Sequence, residues 1–536
     1  MDIQIKDDLI KERLENIFSK KEIESIELSN ISTEKDILSS IFEKFSKNKK
    51  KYAQFYTHQE LVNFILDNIE IDENSRILDP ACGAGAFLLG VLKRNNQNIK
   101  NVYGIDIDPL ALKICKINIE INNKLDIKNL INKNSLKDIN LKKDFDNKHF
   151  DIILGNPPFK NLKRDNKDYS LNDYIFKKVL NGVANSASLM MVKSFELLKD
   201  GGVLAFVLPK NIIRVSSFHK LRNFIINNFK IKIILDLNHH FKDVRGDQII
   251  MILQKEKIKE KRLNNDVLII PYERDRVFNK ANSYKFKQKE FIKYSFFPIF
   301  SNKDIISLSN KFLQIKDKLI DYGEIFRGIS IHPIHQSLSS EMCRDFTNIC
   351  FRGKSIQRFG IKYPLYLNTS VLGNNELGKI GKLKSDKIVL QNIFSKEGGI
   401  FATLSLENEI SIDTVTNIIL YDKSLSKYFV GLLNSRLVNF FMIFVIYLNS
   451  NFTMHTDKAY IGKIPIIIPD QRTLNEIDEL VDKLLSIKDK YSDSFFYFYN
   501  KLNQYLYKTY NLNDDEINNI ENSLKDVMSK KHWKKG

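Results

Sequence analysis

Asn156, Pro157, Pro158 and Phe159 close the run HFDIILGNPPF, whose apolar part reads as a buried strand. The two prolines fix their own φ angles and carry no N–H. The residue before each proline is driven toward extended backbone. The side-chain oxygen of Asn156 and the carbonyl of Pro157 are therefore expected to stand rigidly outward as two hydrogen-bond acceptors. Two fixed acceptors suit the exocyclic amino group of a planar ring, and Phe159 offers a face on which such a ring can stack. The plainer alternative is a stiff turn that ends a strand. Two upstream stretches bear on the choice. DPACGAGAF, from Asp79 to Phe87, places Gly83 and Gly85 between an expected strand and an expected helix, where a tight turn lets backbone approach a ligand. It has no third glycine and no GK[ST], which rules out a phosphate-cradling P-loop. GIDIDP, from Gly104 to Pro109, ends the next strand on Asp106, about 20 residues beyond the glycines. A carboxylate so placed accepts from ribose hydroxyls, and Ile107 can lie against an adenine ring. The alternative for Asp106 alone is an ordinary surface carboxylate; paired with the glycine loop at this spacing, the binding reading is preferred.

These groups must be held by a sheet. From about residue 71 to 255, SRILDPA, NVYGIDID, IKNLINKNSL, HFDIILGNPPF, GGVLAFVLP, IKIILDL and DQIIMILQKE read as strands. Helical stretches such as AFLLGVLKRN and PLALKICKINIEINN separate several of them. That alternation predicts βαβ units and a mostly parallel, doubly wound sheet. Residues 1–50 read as a charged helical segment with Ile37, Ile41, Phe42 and Phe45 at helical spacing, ending in the solvated run KNKKK. The polar stretch KEKIKEKRLNND marks the expected end of the α/β domain near residue 260. Beyond it DVLIIPY, DKIVLQNI, VTNIILY and KIPIIIPD are strand-like, and 471–510 has helical periodicity. Asn513 with Glu516 predicts a capping box.

Composition narrows the class. The chain has 536 residues, enough for two to four domains, with 43% apolar and 28% charged residues, as in globular proteins. Lys plus Arg number 83 against 65 Asp plus Glu, a net +18 that suits a polyanionic partner. An AT-rich gene, which inflates Lys, Asn and Ile, would produce the same excess. Cys82, Cys115, Cys343 and Cys350 form no CxxC pair and have no His at metal-ligand spacing, so a reducing compartment and no metal site are expected. The start MDIQIKDDLIKERLE shows no signal-peptide pattern, and a cytoplasmic location is expected. The most apolar stretch, Leu437 to Leu448, falls short of the roughly 18 residues of a membrane span and is expected to be a buried helix.

DPACGAGAF, GIDIDP and NPPF in this order resemble the amino-group DNA methyltransferases that use S-adenosylmethionine. AQFYTHQELVNFIL, from Ala53 to Leu66, is similar to the QFYTP segment of the adenine-N6 enzymes of the gamma arrangement, with His58 where they carry Pro. GEIFRGISI, FRGKSIQRF, DKIVLQNI, VGLLNSRLVNFF and GKIPIIIP resemble, more loosely, pieces of the TaqI-like specificity domain.

The resemblance implies a class I methyltransferase fold with a seven-stranded, mostly parallel sheet over residues 51–260. It implies an α+β target-recognition domain with C-terminal helices over 261–536. Asp79, Ala81, Gly83 and Gly85 would surround the methionine part of S-adenosylmethionine, and Tyr56 and Thr57 its carboxylate end. Asp106 would bind the ribose, Ile107 would pack on the adenine, and Asn134 would stand where the family often has an Asp for the adenine amino group. Asn156 and the Pro157 carbonyl, stiffened by Pro158, would polarise the amine of a flipped-out adenine in double-stranded DNA. Phe159 and Phe241 would stack on that base. A separate restriction endonuclease is a conceivable companion. The alternatives weighed are cytosine-N4 methylation, methylation of RNA or of protein glutamine, and a non-catalytic DNA-binding specificity subunit.

Overall fold

The computed structural model describes residues 57–529 except 163–173, 181–183, 239–245, 274–276, 295, 301–302, 331–336, 363–364, 413 and 452. The expected N-terminal segment 1–50, Tyr56 and Phe241 thus lie outside the described residues. The chain divides into two compact units, Met1–Ile299 and Phe300–Gly536.

In the first unit the short apolar runs become strands: β1 (Ile77–Asp79), β2 (Val102–Asp106), β3 (Leu130–Asn132), β4 (Phe150–Gly155), β5 (Leu198–Pro209), β6 (Phe229–Asn238), β7 (Gln248–Lys255), β8 (Asp266–Ile270) and β9 (Tyr284–Lys287). They form one sheet in the order β9-β8-β6-β7-β5-β4-β1-β2-β3. Strands β1, β2, β3, β4 and β5 pair in parallel, β7 runs antiparallel between β5 and β6, and β9 runs antiparallel on β8. Helices α1 (Gln59–Leu66), α2 (Ala86–Arg94), α3 (Pro109–Asn123), α4 (Ser186–Leu197) and α5 (His219–Asn228) accompany the sheet. On one face Ile77, Ile152, Leu154 and Val207 join Leu61, Val62, Leu88 and Cys115 in a single core. Leu204, Phe206 and Leu208 alternate to the opposite face and are buried too. Burial on both faces explains why these runs are continuously apolar.

The helices start where local chemistry dictates. Asp108 caps α3 by accepting the Leu110 amide at 3.0 Å, and Pro109 takes the first helical position, where a missing N–H costs nothing.

Two expectations change. The sheet has nine strands rather than seven, and it runs past residue 260 to Lys287. The polar stretch taken as a domain boundary is instead a surface turn containing the short helix Lys259–Leu263. DVLII then re-enters as β8 beside β6, burying Val267, Ile269 and Ile270. The compact unit ends only at Ile299.

The second unit has an antiparallel sheet of Gly323–Arg327, Val415–Leu420, Lys387–Gln391 and Ala402–Ser405, in that spatial order. The long helices Gln471–Ser486 and Asp493–Thr509 occupy the region of expected helical periodicity. Asn513 and Glu516 form the expected capping box of Asp514–Val527. KIPIIIPD is not a strand: among its residues only Pro465 makes an isolated bridge, to Lys318, since proline cannot donate to a ladder. The apolar stretch from Leu437 is buried, as expected of an interior helix, but it widens into a π-helix over Phe441–Ile446. Among the described residues no single helix is long and apolar enough to cross a membrane, while one bent pair, Lys423–Asn434 with Arg436–Ile446, meets that test by length and composition.

Candidate active site

The site is assembled at the carboxyl ends of adjacent strands. β1 ends on Asp79, which is 1% exposed and accepts the Ala81 amide at 3.0 Å. Burial pushes its carboxyl up to about 8, the Ala81 amide pulls the other way, and the neighbouring charge of Asp106 adds to the rise. β2 ends on Asp106, whose two oxygens take the amides of Gly83 at 2.9 Å and Asp108 at 2.8 Å. Burial raises Asp106 to about 6, with those amides opposing. The glycine loop is therefore tied to the acidic strand end, and two buried carboxyls share one electrostatic environment.

The loop's shape explains its glycines. Gly83 has φ +52° and Gly85 φ +91°, the left-handed region. A β-carbon on Gly85 would stand 2.5 Å from the Cys115 sulfur, whereas one on Gly83 would meet nothing within 4 Å. Gly83 thus faces open space and Gly85 packs inward. Residues outside the motif fasten the loop: Asn118 Nδ2 donates to the Ala84 carbonyl at 2.9 Å, and Ser135 Oγ donates to the Pro80 carbonyl at 2.5 Å. Ile107 is 39% exposed, an apolar surface beside Asp106. Asn134 forms a local turn after β3, its Oδ1 accepting the Leu136 amide at 3.0 Å. The oxygen considered for an adenine amine already holds one hydrogen bond.

β4 carries the proline motif to the same edge. Its parallel pairing sets Ile152 and Ile153 beside Ile77 and Leu78. A β-carbon on Gly155 would lie 2.6 Å from Asp79 Oδ1, so β4 ends against the buried carboxyl of β1. Asn156 follows. Its Nδ2 donates to Thr57 Oγ1 at 3.4 Å, and among the described residues no hydrogen bond reaches its Oδ1. None reaches the Pro157 carbonyl either. The Pro158 carbonyl, by contrast, accepts the Ser186 hydroxyl. Phe159 is half-buried along the edge of the core.

Thr57, Asp79, Ala81, Gly83, Gly85, Asp106, Ile107 and the NPPF residues are thus gathered on three neighbouring strand ends, and Asn134 follows the fourth. Sequence reading missed Asn118, Ser135 and Ser186. Each acts on a loop distant in the chain, and none belongs to a local pattern that would have marked it.

A third acidic strand end lies further along the sheet. Asp236 in β6 pairs with Lys210, just beyond β5, at 2.7 Å, with side chains 10% and 1% exposed. Burial drives the Asp236 carboxyl upward, and the Lys210 ammonium opposes that. The other oxygen of Asp236 takes the Asn238 amide at 2.9 Å.

The donor set fits a ligand that is cationic at one end and hydroxylated at the other. Two buried carboxyls favour positive charge near them, Asp106 keeps acceptor capacity for hydroxyls, Gly83 leaves open space, and Ile107 offers an apolar face. The described residues therefore suit S-adenosylmethionine, and the two outward acceptors of Asn156 and Pro157 suit an amine.

A sequence model of the N-6 DNA Methylase family matches residues 33–317, and one of the TaqI-like C-terminal specificity domain matches residues 348–466. The type II methyltransferase M.HincII of Haemophilus influenzae is 24% identical over 298 residues, covering 54% of this chain and 53% of its own. The type II methyltransferase M.VspI of Vibrio sp. (strain 343) is 27% identical over 250 residues, covering 46% and 57%. The chain spans roughly half the length of these curated relatives. Among solved structures, the Type IIL restriction-modification enzyme MmeI in complex with DNA superposes with a TM-score of 0.55 at 16% identity, over 92% of this chain and 76% of that one. At that identity the likeness shows the fold.

Proposed function

The chain belongs to the N-6 DNA methylase family, and from that premise we propose that it is a site-specific DNA methyltransferase. Its substrates are S-adenosylmethionine and the N6 amino group of an adenine turned out of double-stranded DNA. The observation that carries this reading is the pair of acceptors at the end of β4. Thr57 holds Asn156 by its Nδ2, and among the described residues neither the opposite atom, Oδ1, nor the Pro157 carbonyl receives a hydrogen bond.

An adenine amino nitrogen is a poor nucleophile because its lone pair is spread into the ring. Asn156 Oδ1 and the Pro157 carbonyl each hold one amino hydrogen, which draws the nitrogen toward tetrahedral geometry and concentrates the lone pair. Positioning of this kind supplies much of the rate enhancement. The base must leave the duplex to bring its amine to these acceptors, and Phe159 supplies a stacking face, with Phe241 as the second aromatic. S-adenosylmethionine brings the electrophilic methyl group. In this reading Asp79, Ala81, Gly83 and Gly85 surround its methionine part, and Tyr56 and Thr57 lie at its carboxylate. Asp106 accepts from its ribose, and Ile107 packs on its adenine, with Asn134 at the ring's edge. The second unit, with its TaqI-like segment, reads the target sequence, and the net charge of +18 favours the phosphate backbone. From the likeness to type II methyltransferases we place the chain in a restriction–modification setting, with a separate endonuclease as partner.

Single-molecule methylation mapping of DNA from cells expressing the chain tests this. A methylated adenine motif is expected, absent in cells expressing Asn156→Ala. A motif that persists in the variant overturns the catalytic assignment. A mark on cytosine N4 overturns adenine while leaving the acceptor pair standing.

A further inference from the structure

We infer that Ser186, the first residue of α4, is a positioning residue that selects which carbonyl of the proline motif faces the target amine. This rests on the reading of Asn156 and Pro157 as the amine acceptors.

The diproline creates a problem that the motif cannot solve by itself. Pro157 and Pro158 have no N–H, so the loop contributes no amide of its own until Phe159. An extended, proline-rich segment is stiff but makes no internal hydrogen bonds. It presents successive carbonyls in different directions, and nothing in Asn-Pro-Pro says which one turns toward the site. The anchor must come from elsewhere in the chain.

Ser186 supplies it three times over. Its hydroxyl donates to the Pro158 carbonyl, the same oxygen accepts the Lys160 amide at 2.8 Å, and its own amide donates to the Lys160 carbonyl at 2.8 Å. Ser186 is only 4% exposed, so water does not compete for these bonds. Its own place is set by the helix. Asn185 caps α4 by accepting the Ala187 amide at 3.0 Å and donates to Asn161 Oδ1 at 3.3 Å, and Asn161–Leu162 pairs with Ala184–Asn185 as a short antiparallel ladder. The residues on both sides of Phe159 are therefore bolted to the start of a buried helix. With the Pro158 carbonyl taken, the Pro157 carbonyl is the one left to project, and among the described residues it receives no hydrogen bond. Ser186 thus occupies the Pro158 oxygen and ties the backbone on both sides of Phe159. It touches neither base nor cofactor in this reading and acts through Pro158 and Lys160.

The test uses the full chain, a duplex carrying the mapped motif, and the variants Ser186→Ala, Ser186→Thr and Asn156→Ala. In Ser186→Ala the single-turnover methylation rate is expected to fall about ten- to a hundredfold, the scale of a small misplacement of reacting groups. Affinities for S-adenosylmethionine and for the duplex are expected to stay within about twofold, because neither ligand loses a contact. Hydrogen exchange in a peptide covering 156–162 is expected to rise, since Lys160 loses its acceptor. Ser186→Thr keeps the hydroxyl and is expected to recover most of the rate. The inference is overturned if Ser186→Ala reacts at the wild-type rate, if its loss only tracks a fall in folded fraction, or if Ser186→Thr is as slow as alanine. It is also overturned if exchange over 156–162 is unchanged. Failure of the underlying reading shows differently: the wild type methylates no duplex, or Asn156→Ala still does, and the inference then falls with it.

Discussion

In the proposed reading the two buried carboxyls make cofactor binding pH-dependent through two overlapping windows. Asp106 sits near 6 and Asp79 near 8, both lifted chiefly by burial. Under that reading ionised Asp106 would offer acceptors to ribose hydroxyls while keeping the Gly83 and Asp108 amides; protonated, it loses acceptor capacity. If only the ionised form binds, the Asp106 contribution to affinity falls about twofold at pH 6 and about elevenfold at pH 5 relative to its fully ionised limit. Asp79 acts higher on the scale. At pH 7 it is about nine-tenths protonated without ligand, and a nearby sulfonium favours its ionised form. Binding at pH 7 should therefore expel up to about 0.9 proton from Asp79 and tighten further toward pH 9. Titration calorimetry of S-adenosylmethionine in phosphate and in Tris, from pH 5 to 9, measures both quantities. The cofactor's own amino group titrates near 8, so the proton count attributed to Asp79 is the difference between wild type and Asp79→Asn. Asp106→Asn should bind more weakly overall and show a shallower fall between pH 7 and pH 5, leaving the part that Asp79 contributes. The reasoning is refuted if wild-type affinity is flat from pH 5 to 7, if Asp106→Asn keeps the same slope, or if Asp79→Asn releases as many protons as wild type at pH 7.

The same shift has the opposite consequence for the unliganded protein. A raised carboxyl contributes stability that is fully present below the unfolded value, 3.8, and is lost as pH rises through the folded value near 8. Across that window the stability difference between wild type and Asp79→Asn in urea melts should fall by at most about 1.4 kcal/mol per pH unit; a constant difference counts against the shift. Gly85→Ala forces a side chain into left-handed backbone against Cys115. It should cost about 2–4 kcal/mol in a urea melt, whereas Gly83→Ala, with open space around it, should cost only its backbone strain; equal costs would contradict the packing described. Lys210→Met strands the buried Asp236 carboxyl and should cost about 3–5 kcal/mol, and adding Asp236→Leu should return most of it. Additive losses in that double variant would mean that the pair is not coupled as its 2.7 Å separation requires.

Local rules placed much of the structure. PLALKICKINIEINN is α3 from Pro109 to Asn123 because Asp108, Pro109 and the apolar spacing all act within a few residues. The strand that ends on Asp79, the strand that ends on Asp106 and the strand that delivers Asn156 were legible for the same reason: a continuous apolar run stopped by glycine, carboxylate or proline. The capping box at Asn513 likewise needs only residues three apart.

Where neighbours in space are far apart in the chain, the sequence was silent or misleading. KEKIKEKRLNND looked like a boundary because it is polar, yet DVLII returns beside β6 and extends the sheet, a pairing set by the exposed edge of β6 rather than by anything in the linker. KIPIIIPD looked like a strand by its apolar content, but two prolines remove the donors that a ladder requires.

The order and type of the chemical groups, a glycine loop, two acidic strand ends and an Asn-Pro-Pro-Phe turn, belong to the sequence by itself, since each is a local pattern. Tertiary structure alone decided their chemistry. Burial moves Asp79 and Asp106 because solvent is excluded by strands and helices from elsewhere in the unit. Thr57 turns the Asn156 amide, and Ser186 claims one carbonyl and leaves another, from positions that only folding brings near. Side-chain type and spacing can name an acceptor, but its direction and its competitors depend on contacts between segments that no local pattern records.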